Sequence, residues 1–220
     1  MLFRANTLIN LILNQYFNNT GCLIILSHDR LDYFNYHGKL PSVFVNLQDS
    51  NIPENLIFRY YGCHGIIIVG ENPITIFQNV ELKMKFAQDR FNFRRYLFIS
   101  TEHHCSSNLK NLRSKAMMFV EDILIICSIS NRNLNSLEED EYTFELYTHK
   151  FVGPRKQLTD IIWLNTWYYR NQSFLLNSNL YPDKICDQQG RILRIVCFTY
   201  KPFTVVGKCL KYCQYCHILQ

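Results

Sequence analysis

Gly65-Ile66-Ile67-Ile68-Val69 is the stretch on which the fold turns. It is continuously apolar and β-branched, and it is too short for a helix, so it reads as a strand buried on both faces of a parallel sheet. Cys22 to Leu26, Ser42 to Leu47 and Ile123 to Ser128 read the same way, and Arg95 to Ser100 supplies a further strand. Helical segments fall between and before them. From Leu2 to Phe17, the residues Ala5, Leu8, Ile9, Ile12, Leu13 and Tyr16 recur at three- and four-residue steps opposite a polar face of asparagines. Asn18, Asn19 and Gly21 stop that helix. Pro73 to Gln88 opens on a proline suited to a first turn, and Asn108 to Met118 forms a shorter helix. A βαβα succession with short connections predicts an α/β layered fold with helices on both faces of the sheet.

Bulk properties narrow the function classes. The chain has 220 residues, 48% of them hydrophobic and 15% aromatic, enough to bury a core in one large domain or two small lobes. A net charge of +5 is too mild for a dedicated nucleic-acid binder, so none is expected as a partner. Lys83, Lys85, Arg90, Arg94 and Arg95 interleave with aromatics, but Glu81 and Asp89 interrupt them; the segment reads as a helix with a solvated basic face running into a buried strand. No apolar run reaches the roughly 18 residues of a spanning helix. The amino terminus has no signal-peptide pattern, because Arg4, Asn6, Asn10 and Asn14 break any apolar core.

Nine cysteines are many for a cytosolic domain and an odd number for a fully paired secreted one. Cys22, Cys63, Cys105, Cys127, Cys186 and Cys197 lie in or beside apolar segments, where buried free thiols are the common outcome. In an exported domain one or two disulfides would form among them, with connectivity left open. Asn18-Asn19-Thr20 and Asn171-Gln172-Ser173 are glycosylation sequons compatible with export. Cys213-Gln214-Tyr215-Cys216-His217 has the form of a haem-attachment site, yet no second ligand or sheltering core accompanies it. His103-His104-Cys105 reads as a surface loop after a strand. The acidic run Glu138 to Glu141 lacks the spaced ligands and turn glycine of a calcium loop. Neither metal nor cofactor is expected. With no nucleophile elbow, phosphate loop or dinucleotide fingerprint, an enzyme is not expected either. Ser27, His28 and Asp29 follow a buried strand at the carboxyl edge, where α/β proteins place ligand contacts, and are the cleft candidates.

The carboxyl-terminal region carries the most specific phrase: Leu180-Tyr181-Pro182-Asp183-Lys184, Asp187, then Gly190-Arg191-Ile192-Leu193-Arg194-Ile195 and Phe198-Thr199-Tyr200-Lys201-Pro202-Phe203. Phe151-Val152-Gly153 and Trp167 precede it, and Trp163, Trp167, Tyr168 and Tyr169 are expected to form one aromatic cluster ahead of it. This phrase resembles the junction in insect ionotropic receptors, divergent relatives of the ionotropic glutamate receptors, where the amino-terminal domain hands over to the ligand-binding domain. The resemblance covers about Phe151 to Phe203, while the first 150 residues match in pattern only.

The resemblance implies a periplasmic-binding-protein-like layered sheet with flanking helices, here truncated. It implies an extracellular amino-terminal domain at 1–178, with the junction and first strand of the ligand lobe at 179–206. Residues 207–220 then read as an aberrant tail, since Gly207-Lys208-Cys209 can be encoded by a consensus intron start. Met1 would be internal to a longer gene. The full-length protein would be a plasma-membrane, ligand-gated cation channel subunit used in chemosensation, with ionotropic co-receptor subunits and a small-molecule ligand as partners. Tyr200 and Phe203 would sit near that ligand, and Pro202 would be structural. The pore, the second lobe and the ligand-binding arginine would follow Phe203. The competing expectation is a free-standing soluble α/β module that binds a small molecule or a protein.

Overall fold

The computed structural model describes residues 2–28, 36, 38–47, 62–86, 94–102, 105–130, 142–154 and 157–190. These residues fall in one compact unit, Met1–Gly190. Helix α1 (Leu2–Tyr16) precedes strand β1 (Leu23–Ser27), which is followed by β2 (Ser42–Asn46) and β3 (Gly65–Gly70). Helix α2 (Pro73–Phe86), β4 (Arg95–Ser100), α3 (Ser106–Leu112), a 3-10 turn (Lys115–Met117) and β5 (Asp122–Ser130) come next. Strands β6 (Tyr142–His149), β7 (Ile161–Tyr168) and the two-residue β8 (Ser173–Phe174) complete the elements among the described residues. Among the described residues one eight-stranded sheet runs β2-β1-β3-β4-β5-β6-β7-β8. The first five strands are parallel and the last three antiparallel, so the coarse α/β expectation holds, on a mixed sheet.

The apolar strands are buried on both faces, and alternation assigns each side chain to one of two cores. Leu23, Ile25, Ile67, Val69, Leu97 and Ile99 face α1. Their neighbours Ile24, Leu26, Ile66, Ile68, Phe98 and Ile125 face α2 and α3. Helix α1 contributes Ala5, Leu8, Ile9, Ile12 and Leu13, the same periodic stripe visible in the sequence. Asn72 begins α2 by accepting the Thr75 amide on its side-chain oxygen at 3.2 Å, with Pro73 at the first helical position. Both described crossovers, through α2 and through α3, lie on one face, as successive parallel strands with crossovers of one hand require.

Three expectations change. The segment Ser42 to Leu47 is not a doubly buried strand: β2 is the sheet edge, alternately exposed and half-buried, with Phe44 52% exposed. The helix expected at Asn108 to Met118 is a two-turn helix followed by a 3-10 turn. Trp163 and Trp167 do not form one aromatic cluster. Four residues apart on a regular strand they would share a face, but the register shifts opposite Leu146 and Tyr147, inserting Leu164. Trp163 therefore pairs with Tyr147 and is 40% exposed, while Trp167 pairs with Phe144 in the α1 core at 1%.

Two disulfides form within this frame, Cys22–Cys63 and Cys105–Cys127, in place of four of the buried thiols. The first joins the chain just before β1 to the chain just before β3, its neighbour in the sheet. Gly21 makes that approach possible: it holds φ +73°, and a Cβ there would lie 2.6 Å from the Gly62 carbonyl oxygen. The second pins the start of α3 to β5. Seven residues are too few to hold a helix on their own, so this cross-link and the buried Leu112 fix it to the sheet.

Candidate functional site

The strand order β2-β1-β3-β4-β5 reverses direction between β1 and β3, and ligands of open α/β sheets bind at the carboxyl ends flanking such a point. Ser27 ends β1 there and is buried; His28 follows it and is exposed. The His28 ring directs Nδ1 at the Leu47 carbonyl, 3.0 Å away, so it bridges the carboxyl ends of β1 and β2. A carbonyl can only accept, so Nδ1 carries the proton and Nε2 is left for another partner. Asp29 lies outside the described residues, as do Tyr200, Pro202, Phe203, His103-His104, the acidic run and the cysteine tail.

A second group at the same edge was not visible as a motif. Asn108, fully buried on α3, donates its amide to the Glu71 carbonyl at 2.9 Å and to Ser100 Oγ at 2.8 Å. Glu102 donates its backbone N–H to Ser100 Oγ at 3.3 Å and accepts from the Ser107 hydroxyl at 2.7 Å. These bonds tie the carboxyl ends of β3 and β4 to the start of α3. The Asn108 carbonyl oxygen is buried and has no partner among the described residues. The available sequence signal was a polar residue on the inner stripe of a short helix, which a periodicity reading treats as a defect in the stripe.

The opposite, amino-terminal edge of the sheet holds the junction phrase. Leu180 and Tyr181 are buried in the α1 core, and Leu180 N–H donates to the Tyr16 hydroxyl at 3.2 Å across 164 residues of sequence. The Tyr181 hydroxyl donates to the Tyr96 carbonyl at 3.2 Å. Its ring packs on Tyr16 at 5.3 Å and edge-on to Phe17 at 5.8 Å, with the Arg95 guanidinium 4.7 Å from its centroid. Burial pushes the phenol well above its ordinary range. Arg95 is held by Asp122, its direct register partner on β5, at 2.6 Å, and also donates to the Tyr16 carbonyl. Arg94 is buried where the chain enters β4.

Lys184 completes this seat. It is buried and donates to Thr148 Oγ1 at 2.9 Å. Burial lowers its ammonium to about 8, against the pull of Asp122 and Glu121. Burial also raises Glu121, with Asp122 and Asp183 adding to it. Asp183 caps the turn that follows by accepting the Ile185 amide at 3.0 Å, and Gly190 adopts φ +68° at its end. Upstream, Gly153 of the Phe151-Val152-Gly153 phrase has a steric reason: a Cβ there would lie 2.1 Å from the Leu158 carbonyl oxygen.

Both sequon asparagines are exposed. Asn18 lies in the turn after α1, and Asn171 lies in the turn between β7 and β8. Among the described residues no group of three metal-ligating side chains converges, and no helix is long and apolar enough to cross a membrane. No protein-family model matches this chain, and no curated protein matches it.

Proposed function

We propose that the chain is the amino-terminal, extracellular part of a chemosensory ionotropic receptor, a ligand-gated cation channel subunit, joined to the first strand of its ligand clamp. The observation that carries this reading is the phrase Leu180-Tyr181-Pro182-Asp183-Lys184, with Asp187 and Gly190, at the end of an α/β domain. The strand order of β1 to β5, with helices on both faces, supports a periplasmic-binding-protein-like lobe. The two disulfides support an oxidising compartment, and the exposed Asn18 and Asn171 support glycosylation. On this reading the domain assembles and positions the receptor and is not an enzyme. Its ligand-facing residues, Tyr200 and Phe203, belong to the following lobe, and co-receptor subunits and a small-molecule ligand act on the full-length protein. Ser27 and His28, at the switch point, are the contacts through which this domain itself would hold a ligand.

Secretion tests this reading. The 220-residue chain, expressed in insect cells behind a heterologous signal sequence, is expected to leave the cell folded. Glycosidase should shift its mobility by two glycans, and Asn18→Gln and Asn171→Gln should each remove one. A product that is retained and unglycosylated, while the same chain made in a reducing cytosol folds with free thiols, would contradict it. The free-standing binding module is the second reading, favoured by the compactness of the Met1–Gly190 unit.

A further inference from the structure

The seat of the junction strap is unequal at its two ends. At the Tyr181 end every group is matched. The ring is packed among Tyr16, Phe17 and Arg95, the hydroxyl reaches the Tyr96 carbonyl, and the Leu180 amide reaches the Tyr16 hydroxyl. At the Lys184 end an ammonium with three donors is buried against one neutral acceptor, Thr148 Oγ1. Thr148 is itself committed, donating its hydroxyl to the Ile123 carbonyl. Among the described residues no carboxylate lies within ion-pair distance of the Lys184 nitrogen, because Asp122 is turned to Arg95. A buried charge so incompletely paired is costly, and the neutral amine in the same place costs far less.

We propose that Leu180–Lys184 is a clasp with one fixed and one releasable end: Tyr181 holds the strap to the sheet, and Lys184 lets go when its amine is protonated, freeing the chain from Asp183 onward. The inference stands on the packing of the strap and does not require the receptor reading. The charged and titratable groups around Lys184 come from each neighbouring element. Glu121 and Asp122 lie at the start of β5, Arg95 at the start of β4, His149 at the end of β6, and Asp183 on the strap itself. Burial pulls Lys184 down from 10.5 to about 8, so the seated strap prefers the neutral amine. Seating is therefore strongest above 10.5, weakens as pH falls from there toward about 8, and stays at its weakest below that. His149, held by burial far below its ordinary value, stays neutral across that window.

Methyl NMR of the full 220-residue chain between pH 7 and pH 10 tests the clasp, with Ile185, exposed beside Lys184, and Leu180, buried beside Tyr181, as reporters. The Ile185 methyl is expected to titrate with a midpoint near 8 and to narrow at the low-pH end. Leu180 should stay fixed throughout. Lys184→Met should hold Ile185 at its high-pH position, and Lys184→Arg, which stays charged, should hold it at the low-pH position. An Ile185 signal that does not titrate overturns the proposal. So does an unchanged titration in either variant, or a Leu180 signal that moves together with Ile185.

Discussion

Lys184 and His149 are two bases buried at one edge of the sheet, and each ties the stability of the domain to pH. His149 is fully buried, with Nδ1 on the Thr159 hydroxyl at 3.3 Å, and burial, helped by Lys184, lowers it from 6.5 to about 3. The folded state holds it neutral, while the unfolded chain takes up a proton below 6.5. Stability from this group is therefore full above 6.5 and is lost as pH falls from there toward 3, at up to about 1.4 kcal/mol per pH unit. Urea melts from pH 7 to pH 4 should show this slope, and His149→Gln should reduce it by about one proton. A slope unchanged in the variant would place the acid sensitivity elsewhere. Lys184→Met keeps the aliphatic stem and removes the charge that opposes seating of the strap, so melts at pH 7 should show a gain of roughly 1 to 4 kcal/mol. A loss would mean that the Thr148 bond outweighs the cost of burial.

At the scale of elements, α3 and α1 are held by different means. Helix α3 has two turns, an irregular end, and an internal asparagine, so its place depends on Cys105–Cys127. Cys105→Ser should cost about 3 kcal/mol by the loop-closure argument for a separation of 22 residues, read from denaturation under non-reducing conditions. Hydrogen exchange should rise first in Ser106–Leu112. Helix α1 instead depends on burial. Leu8 is wholly enclosed, and Leu8→Ala should cost roughly 2 to 5 kcal/mol in the same assay. The sequence made α1 legible because five of its inward residues recur at helical steps without interruption. It made the parallel strands legible because each is apolar on both faces. The edge position of β2 is hidden because Val43, Phe44 and Val45 carry the same composition as an inner strand, and edge position is a property of the sheet, not of the segment. The exchange of faces at Trp163 and Trp167 rests on a register shift between two strands, which neither strand encodes alone. Disulfide partners were equally hidden, since Cys22 meets Cys63 only after β1 and β3 pair.

For the whole molecule, the junction phrase takes on a physical meaning that its pattern did not carry. Leu180, Tyr181 and Lys184 are seated on the amino-terminal edge of the sheet, and Asp183 and Gly190 shape the turn that leaves it. The cleft candidates Ser27 and His28 occupy the opposite, carboxyl edge. If the chain opens a receptor, ligand contact by this domain and attachment of the next one are thus separated across the length of the strands. On the proposed reading, a ligand clamp and a pore follow this domain in one protein. Sequencing full-length mature transcripts across codons 200 to 220 and upstream of Met1 tests it most directly. A splice near Val206 into clamp lobes and membrane-spanning helices, with a signal peptide encoded upstream, is expected. A mature message that stops after Gln220 and begins at Met1 would contradict it.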